Sequence, residues 1–158
     1  MNLKNPLSWL SLGFGSGLSP VAPGTVGSIF AIAIYYFFFF GHIVEWFDHL
    51  IFISFVVLSF FVGLYIYPKT VKEQNDPGSF VWDEFVGMWV ACIPLAIINH
   101  SLQWLIIAFV LFRIFDIWKP FGIKKIDSKH GAFYVMIDDV VAGAFAGILM
   151  FFLSYFLI

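Results

Sequence analysis

A chain of 158 residues with a formal net charge of −2 is 61% hydrophobic and only 11% charged, against about 45–50% and about 25% in an ordinary soluble domain. This balance excludes a soluble enzyme, a disordered chain and a secreted disulfide scaffold. No charge falls within residues 5–44, 50–68, 85–112 or 140–158, and each tract is about as long as the roughly 20 residues that cross a bilayer, or longer.

The N-terminus holds one early cation, Lys4, and the apolar stretch after it is broken by Gly13, Gly15 and Gly17, so it does not read as a cleavable signal peptide. The segment GFGSGLSPVAPGTVGS (13–28) follows. A glycine-rich loop entering a helix can offer backbone N–H groups and a positive dipole end to an anion. The plainer reading is a turn capped by Thr25 or Ser28. The segment is neither a dinucleotide fingerprint nor a P-loop.

Five apolar spans are predicted, at 26–41, 50–67, 85–98, 102–118 and 140–158. The third contains Pro94. Cations set the orientation of such a chain. With the N-terminus in the cytoplasm, Lys4, Lys69, Lys72, Arg113, Lys119, Lys124, Lys125 and Lys129 all fall on the cytoplasmic side. Merging the third and fourth spans would split them across the membrane. The fold class is therefore an all-α, polytopic membrane helix bundle of about five spans with a cytoplasmic N-terminus, forming one domain over 1–158. Trp46, Trp82, Trp104 and Trp118 lie near span ends, as interfacial anchors do. Gly143 and Gly147, Gly27 and Ala31, and Gly87 and Ala91 repeat the small-x-x-x-small spacing of close helix contacts. Cys92 has no partner for a disulfide and reads as a small buried hydrophobe.

The polar residues collect at the cytoplasmic span ends. Asp83-Glu84 opens the third span and Asp138-Asp139 the fifth, in similar settings: VWDEFVG (81–87) and MIDDVVAG (136–143). One acid would suffice to complement a helix N-terminus; two adjacent ones repel unless a cation joins them. Arg113, Asp116 and Lys119 are spaced three apart, which suits a salt-bridge ladder along one helix. The same spacing suits a carboxylate ligand flanked by two phosphate-binding cations. Ionisable groups at membrane depth cost about 2.5–3.5 kcal/mol at a helix centre and mark function by default. Asp83, Glu84, Asp116, Asp138 and Asp139 are hard oxygen donors without His or Cys beside them, a set that favours Mg²⁺ or Mn²⁺ over Zn²⁺. With Arg113 and Lys119 added, the combination points to phosphoryl chemistry on a lipid head group.

These segments, together with GSFVWDEFVGMW (78–89) and FRIFDIWKP (112–120), resemble bacterial phosphatidylglycerophosphatase A in order and spacing from Trp9 to Gly147. The likeness implies an integral, multi-pass enzyme of the bacterial inner membrane with its active site facing the cytoplasm. It implies Mg²⁺-dependent hydrolysis of phosphatidylglycerophosphate to phosphatidylglycerol and phosphate, in phospholipid biosynthesis. Its implied catalytic residues are Asp83, Asp116, Asp139 and Lys119. Arg113, Lys119, Thr25 and Ser28 would bind substrate phosphate, and the five acids would hold metal. The partners are the lipid substrate and the bilayer, with no nucleic acid. Two departures stand out: the family often reads Lys-Pro-x-Pro-Ile where this chain has Lys119-Pro-Phe-Gly-Ile123, and Gly-Gly-x-Gly where it has Gly131-Ala-Phe-Tyr134.

No Cys-x5-Arg or Asp-x-Asp-x-Thr pattern is present, which favours direct attack by water over a covalent intermediate; an aspartyl-phosphate stays open. A divalent-cation or proton transporter would use the same acids, but it needs polar residues through the midplane, where these spans are apolar.

Overall fold

A computed structural model describes residues 3–71, 78–98 and 101–157. Lys72, one of the counted cations, lies outside the described residues, as does the last residue of the fifth predicted span. Among the described residues there is no strand. The helices are α1 (Pro6–Ser11), α2 (Pro23–Phe38), α3 (Trp46–Thr70), α4 (Trp82–Cys92), α5 (Leu95–Ile98), α6 (Leu102–Trp118), α7 (Ile123–Asp127) and α8 (Ala132–Leu157), with a 3₁₀ stretch over Gly13–Leu18.

Local chemistry sets several boundaries. Asn5 caps α1 by accepting from the Leu7 N–H at 3.0 Å, and Pro6 sits where its missing N–H costs nothing. The Asp48 carboxylate accepts from the Val44 and Glu45 N–H groups at 3.1 and 2.9 Å at the start of α3. Pro94 ends α4 near Cys92, so the third predicted span is two helices, α4 and α5, with a break between them. The fifth predicted span begins too late. α8 starts at Ala132, which carries Asp138 and Asp139 inside the helix instead of at its first turn.

α4 is the hub. Nearly every residue on it is buried, and α2, α3, α6 and α8 pack around it. Apolar burial gives little net drive between helices in lipid, so close packing carries the association. Gly87 of α4 and Gly143 of α8 approach closely. A Cβ on Gly143 would overlap the Gly87 carbonyl, and one on Gly87 would overlap the Asp139 carbonyl and the Phe112 ring. The small-residue spacing thus lets α8 approach closely enough to bring Asp139 beside the first turn of α4.

The outer surface is apolar. Phe37, Phe38, Trp46, Ile117, Trp118 and Tyr155 are all exposed. A water-soluble monomer rarely shows so much exposed aromatic and aliphatic surface. α3 and α8 are each long and apolar enough to cross a membrane, and α2 is a shorter apolar helix. Two of the four anchor tryptophans face outward, Trp46 and Trp118. The other two, Trp82 and Trp104, are buried in the bundle. Trp82 gives its indole N–H to the Ser59 carbonyl of α3 at 2.9 Å, so it pins α4 to α3 and is unavailable as an interfacial anchor.

Candidate active site

The acids meet where α4, α6 and α8 come together. Asp83 and Glu84 occupy the first turn of α4, where the helix dipole favours negative charge. Asp139 reaches them from the second turn of α8. One carboxylate oxygen from each of Asp83, Glu84 and Asp139 lies within 4.8 Å of the others. Asp116, near the end of α6, is a charged neighbour of both Asp138 and Asp139. All of these acids except Glu84, which is half-buried, are buried.

Two cations hold the cluster's flanks. Arg113 Nη1 contacts Asp116 Oδ2 at 2.6 Å and donates to Ser28 Oγ at 3.3 Å. Lys119 Nζ reaches Asp138 Oδ2 at 2.6 Å and Asp127 Oδ1 at 2.5 Å. The three-residue ladder therefore extends only from Arg113 to Asp116. α6 stops at Trp118, and Lys119 takes the left-handed conformation (φ 49°), which turns its side chain toward α7 and α8. Burial alone would lower the Lys119 pKa, but its hydrogen bonds to Asp127 and Asp138 outweigh that and hold it above the usual lysine value. Lys119 is thus a fixed positive charge, unsuited to giving up a proton near neutral pH.

The structure divides the sequence-predicted residues by setting. Asp83, Glu84 and Asp139 form one oxygen-rich centre. Asp116 links that centre to Arg113, and Asp138 turns away from it to Lys119. Ser28 is fully buried; its hydroxyl donates to the Gly24 carbonyl at 2.8 Å while accepting from Arg113, so it supports Arg113 and has no free face for phosphate. Thr25 lines an apolar groove beside Arg113. Within the glycine-rich segment, the Gly15 and Gly17 N–H groups bond the Leu12 carbonyl and that of Ser19 bonds Ser16, leaving this part of the loop occupied with its own turns. The end of the segment approaches the acids. Gly24, in the first turn of α2, lies so close that a Cβ there would overlap the Glu84 carboxylate and crowd Arg113 Nη1.

Two residues escaped the sequence reading. Asp127, placed among Lys124, Lys125 and Lys129, looks like part of a solvated basic loop; only the turn after α6 shows that it shares Lys119 with Asp138. Gly24 reads as a loop glycine in the sequence, and nothing in its neighbours' identity signals the contact with Glu84.

The donor set fits a hard divalent ion. It is all oxygen, and Asp139 Oδ2 is buried without a hydrogen-bond partner. A buried carboxylate oxygen left so is costly unless something cationic satisfies it.

A family model described as phosphatidylglycerophosphatase A matches residues 9–154. The chain belongs to the phosphatidylglycerophosphatase A family. A relative of that name from Escherichia coli (strain K12) is 39% identical over 158 residues, covering 98% of this chain and 87% of the relative. Another, from Haemophilus influenzae, is 41% identical over 162 residues, covering 100% of this chain and 94% of the relative. A third, from Bacteroides thetaiotaomicron, is 40% identical over 149 residues and covers 89% of each chain; its name provisionally assigns it a phosphatidylinositol-3-phosphatase activity. No solved structure matches the chain.

Proposed function

We infer that this chain removes the terminal phosphate of phosphatidylglycerophosphate, using Mg²⁺ held by the acids that converge on α4. Family membership makes it a lipid phosphatase of phosphatidylglycerol synthesis. The observation that carries the chemistry is the meeting of Asp83, Glu84 and Asp139 beside Arg113, at one end of an apolar helix bundle.

Asp83, Glu84 and Asp139 would hold the metal, with Asp116 adjacent. When bound, Mg²⁺ supplies Lewis-acid stabilisation of phosphoryl charge and a lowered pKa for water. Arg113 spends Nη1 on Asp116 and Ser28, and its charge beside the acids would stabilise a phosphoryl oxygen. Ser28 and Asp116 hold that guanidinium in place. Water attacks phosphorus while a cluster carboxylate accepts its proton. As the P–O bond to glycerol breaks, that carboxylate returns the proton to the leaving oxygen, giving phosphatidylglycerol and inorganic phosphate. Lys119 fixes Asp138 and the α6–α7 turn and touches no reacting atom. The lysines at 124, 125 and 129 draw anionic head groups toward this end, at about 1 kcal/mol per cation near the surface.

The cation count supports a multi-pass arrangement in the inner membrane, with five spans, the N-terminus in the cytoplasm and the acid cluster facing the cytoplasm. The helical segments fit it: α2, α3, α4 with α5, α6 and α8 supply the five, and α4 alone, with 11 residues, is shorter than a bilayer.

The relative from Bacteroides thetaiotaomicron supports a second substrate, phosphatidylinositol 3-phosphate, which carries the same terminal monoester on a different head group. Purified protein should release phosphate from phosphatidylglycerophosphate with Mg²⁺ and lose that activity in EDTA. Hydrolysis of phosphatidylinositol 3-phosphate with none of phosphatidylglycerophosphate would overturn the first substrate in favour of the second. Full activity in EDTA would discard the metal.

A further inference from the structure

Two apolar grooves among the described residues differ in one respect. One, of about 360 Å³, runs between α3, α4 and α8 past Val56, Val57, Phe60, Val90, Ile93 and Val140, and every residue lining it is apolar. The other, of about 570 Å³, runs along α6 and is closed on one side by the start of α2. Phe109, Val110, Ile114, Ile117 and Trp118 form its floor, one face of α6 by their spacing. Arg113 and Thr25 also line it, so it has one cation and one hydroxyl. Arg113 is the same residue that contacts Asp116 of the acid cluster at 2.6 Å. From Trp118 to Phe109 the groove follows α6 for about 14 Å at 1.5 Å per residue, with Arg113 near its middle.

We propose that the α2–α6 groove seats an acyl chain of the phosphorylated lipid substrate, with the lipid's phosphate at Arg113 and the chain running past Val110 toward Phe109. The proposal rests on the lipid-phosphatase reading above and adds the side from which substrate joins the cluster. The charge decides between the grooves. A lipid phosphate needs a cation along its hydrocarbon slot, and of these two grooves this is the one with such a cation, Arg113, which also touches the acids. Thr25 offers a hydroxyl to the glycerol end. Ile114, Ile117 and Trp118 are open to the bilayer, so a chain can slide in sideways without leaving the lipid.

The test needs no turnover. Phosphatidylglycerophosphate bearing a diazirine on one acyl chain is photolysed with the full-length protein in mixed vesicles, and the labelled peptides are mapped. Label should concentrate within residues 109–118 and be displaced several-fold by unlabelled phosphatidylglycerophosphate, but not by a tenfold excess of phosphatidylcholine. Val110→Trp, at a half-exposed position on the groove floor, should cut that label several-fold and raise KM for the long-chain substrate while its kcat stays within about twofold. Val57→Trp, in the other groove, should leave labelling and KM unchanged. Label centred on α3 and α8, or equal displacement by phosphatidylcholine, overturns the proposal. So does an unchanged KM and unchanged labelling in Val110→Trp. Wild-type protein that binds label along α6 yet releases no phosphate would refute the phosphatase reading and leave the groove assignment standing.

Discussion

Asp83-Glu84 and Asp138-Asp139 look alike in sequence and sit in different physical settings. The first pair lies in the opening turn of α4, where unsatisfied N–H groups and the helix dipole favour carboxylates; the Glu84 N–H itself bonds Asp83 Oδ1 at 3.0 Å. Both of its acids join the same centre. The second pair lies two turns into α8, with no dipole to help it. Adjacent residues on a helix point about 100° apart, and here that divergence gives the acids separate partners. Asp139 faces Asp83, Glu84 and Asp116, while Asp138 faces Lys119. A doubled acid in an apolar helix can therefore face two different partners, and the surrounding helix ends decide which acid meets which.

Substitutions that break this division should have graded effects. The largest falls on the shared centre. Asp139→Asn or Asp83→Asn should lower kcat about 10³-fold or more, comparable to losing a principal electrostatic stabiliser, with the protein still extracted and folded. Phosphate release in detergent micelles checks it. Activity within tenfold of wild type in both variants would show that the centre is not where the chemistry occurs.

The anchor should show its loss in stability first. Lys119→Met leaves Asp138 buried without its cation and should destabilise the protein by about 3 kcal/mol. Removing both charges, Lys119→Met with Asp138→Asn, should restore most of that loss in thermal unfolding. If the double variant is no more stable than Lys119→Met alone, Asp138 is not what Lys119 holds.

Next in size is the contact that lets the two pairs meet. Gly143→Ala forces a methyl against the Gly87 carbonyl, backbone that cannot rotate away. Overpacking of this kind costs about 2 kcal/mol. Because the α4–α8 spacing also sets the reach of Asp139, kcat should fall with stability. A stability loss with kcat unchanged would separate the packing from the site.

Much of this was legible beforehand, and the limits have physical causes. Charge scarcity marked the apolar helices because every ion at membrane depth is conspicuous. The acids stand out for the same reason, as do the separate small-residue stripes that hold Gly87 and Gly143, although their meeting is visible only in the structure. Boundaries set by tertiary packing were harder to see. α8 begins eight residues before its charge-free tract, because Asp138 has Lys119 and Asp139 has the cluster, so a helix can carry both inward. The Arg113-Asp116-Lys119 spacing could not reveal that α6 ends one residue before Lys119. The tryptophans near span ends could not reveal which two turn inward, since Trp82 depends on a carbonyl of Ser59, 23 residues away.

The smallest effect should come from Ser28, and it sharpens what the cation beside the centre does. Its hydroxyl bridges the Gly24 carbonyl and Arg113, so Ser28→Ala removes one hydrogen bond to a guanidinium that keeps its pair with Asp116. A hydrogen bond of this kind is worth about 1 kcal/mol, or about fivefold in an equilibrium constant. If Ser28 only steadies Arg113 for holding phosphate, KM should rise by about that factor with kcat little changed, and Ser28→Thr, which keeps the hydroxyl, should recover it. A fall in kcat at constant KM would mean that the contact matters only as charge develops on the phosphoryl oxygens. Arg113 would then be a transition-state group held by α2, and the start of α2 would belong to the catalytic centre along with the acids of α4 and α8.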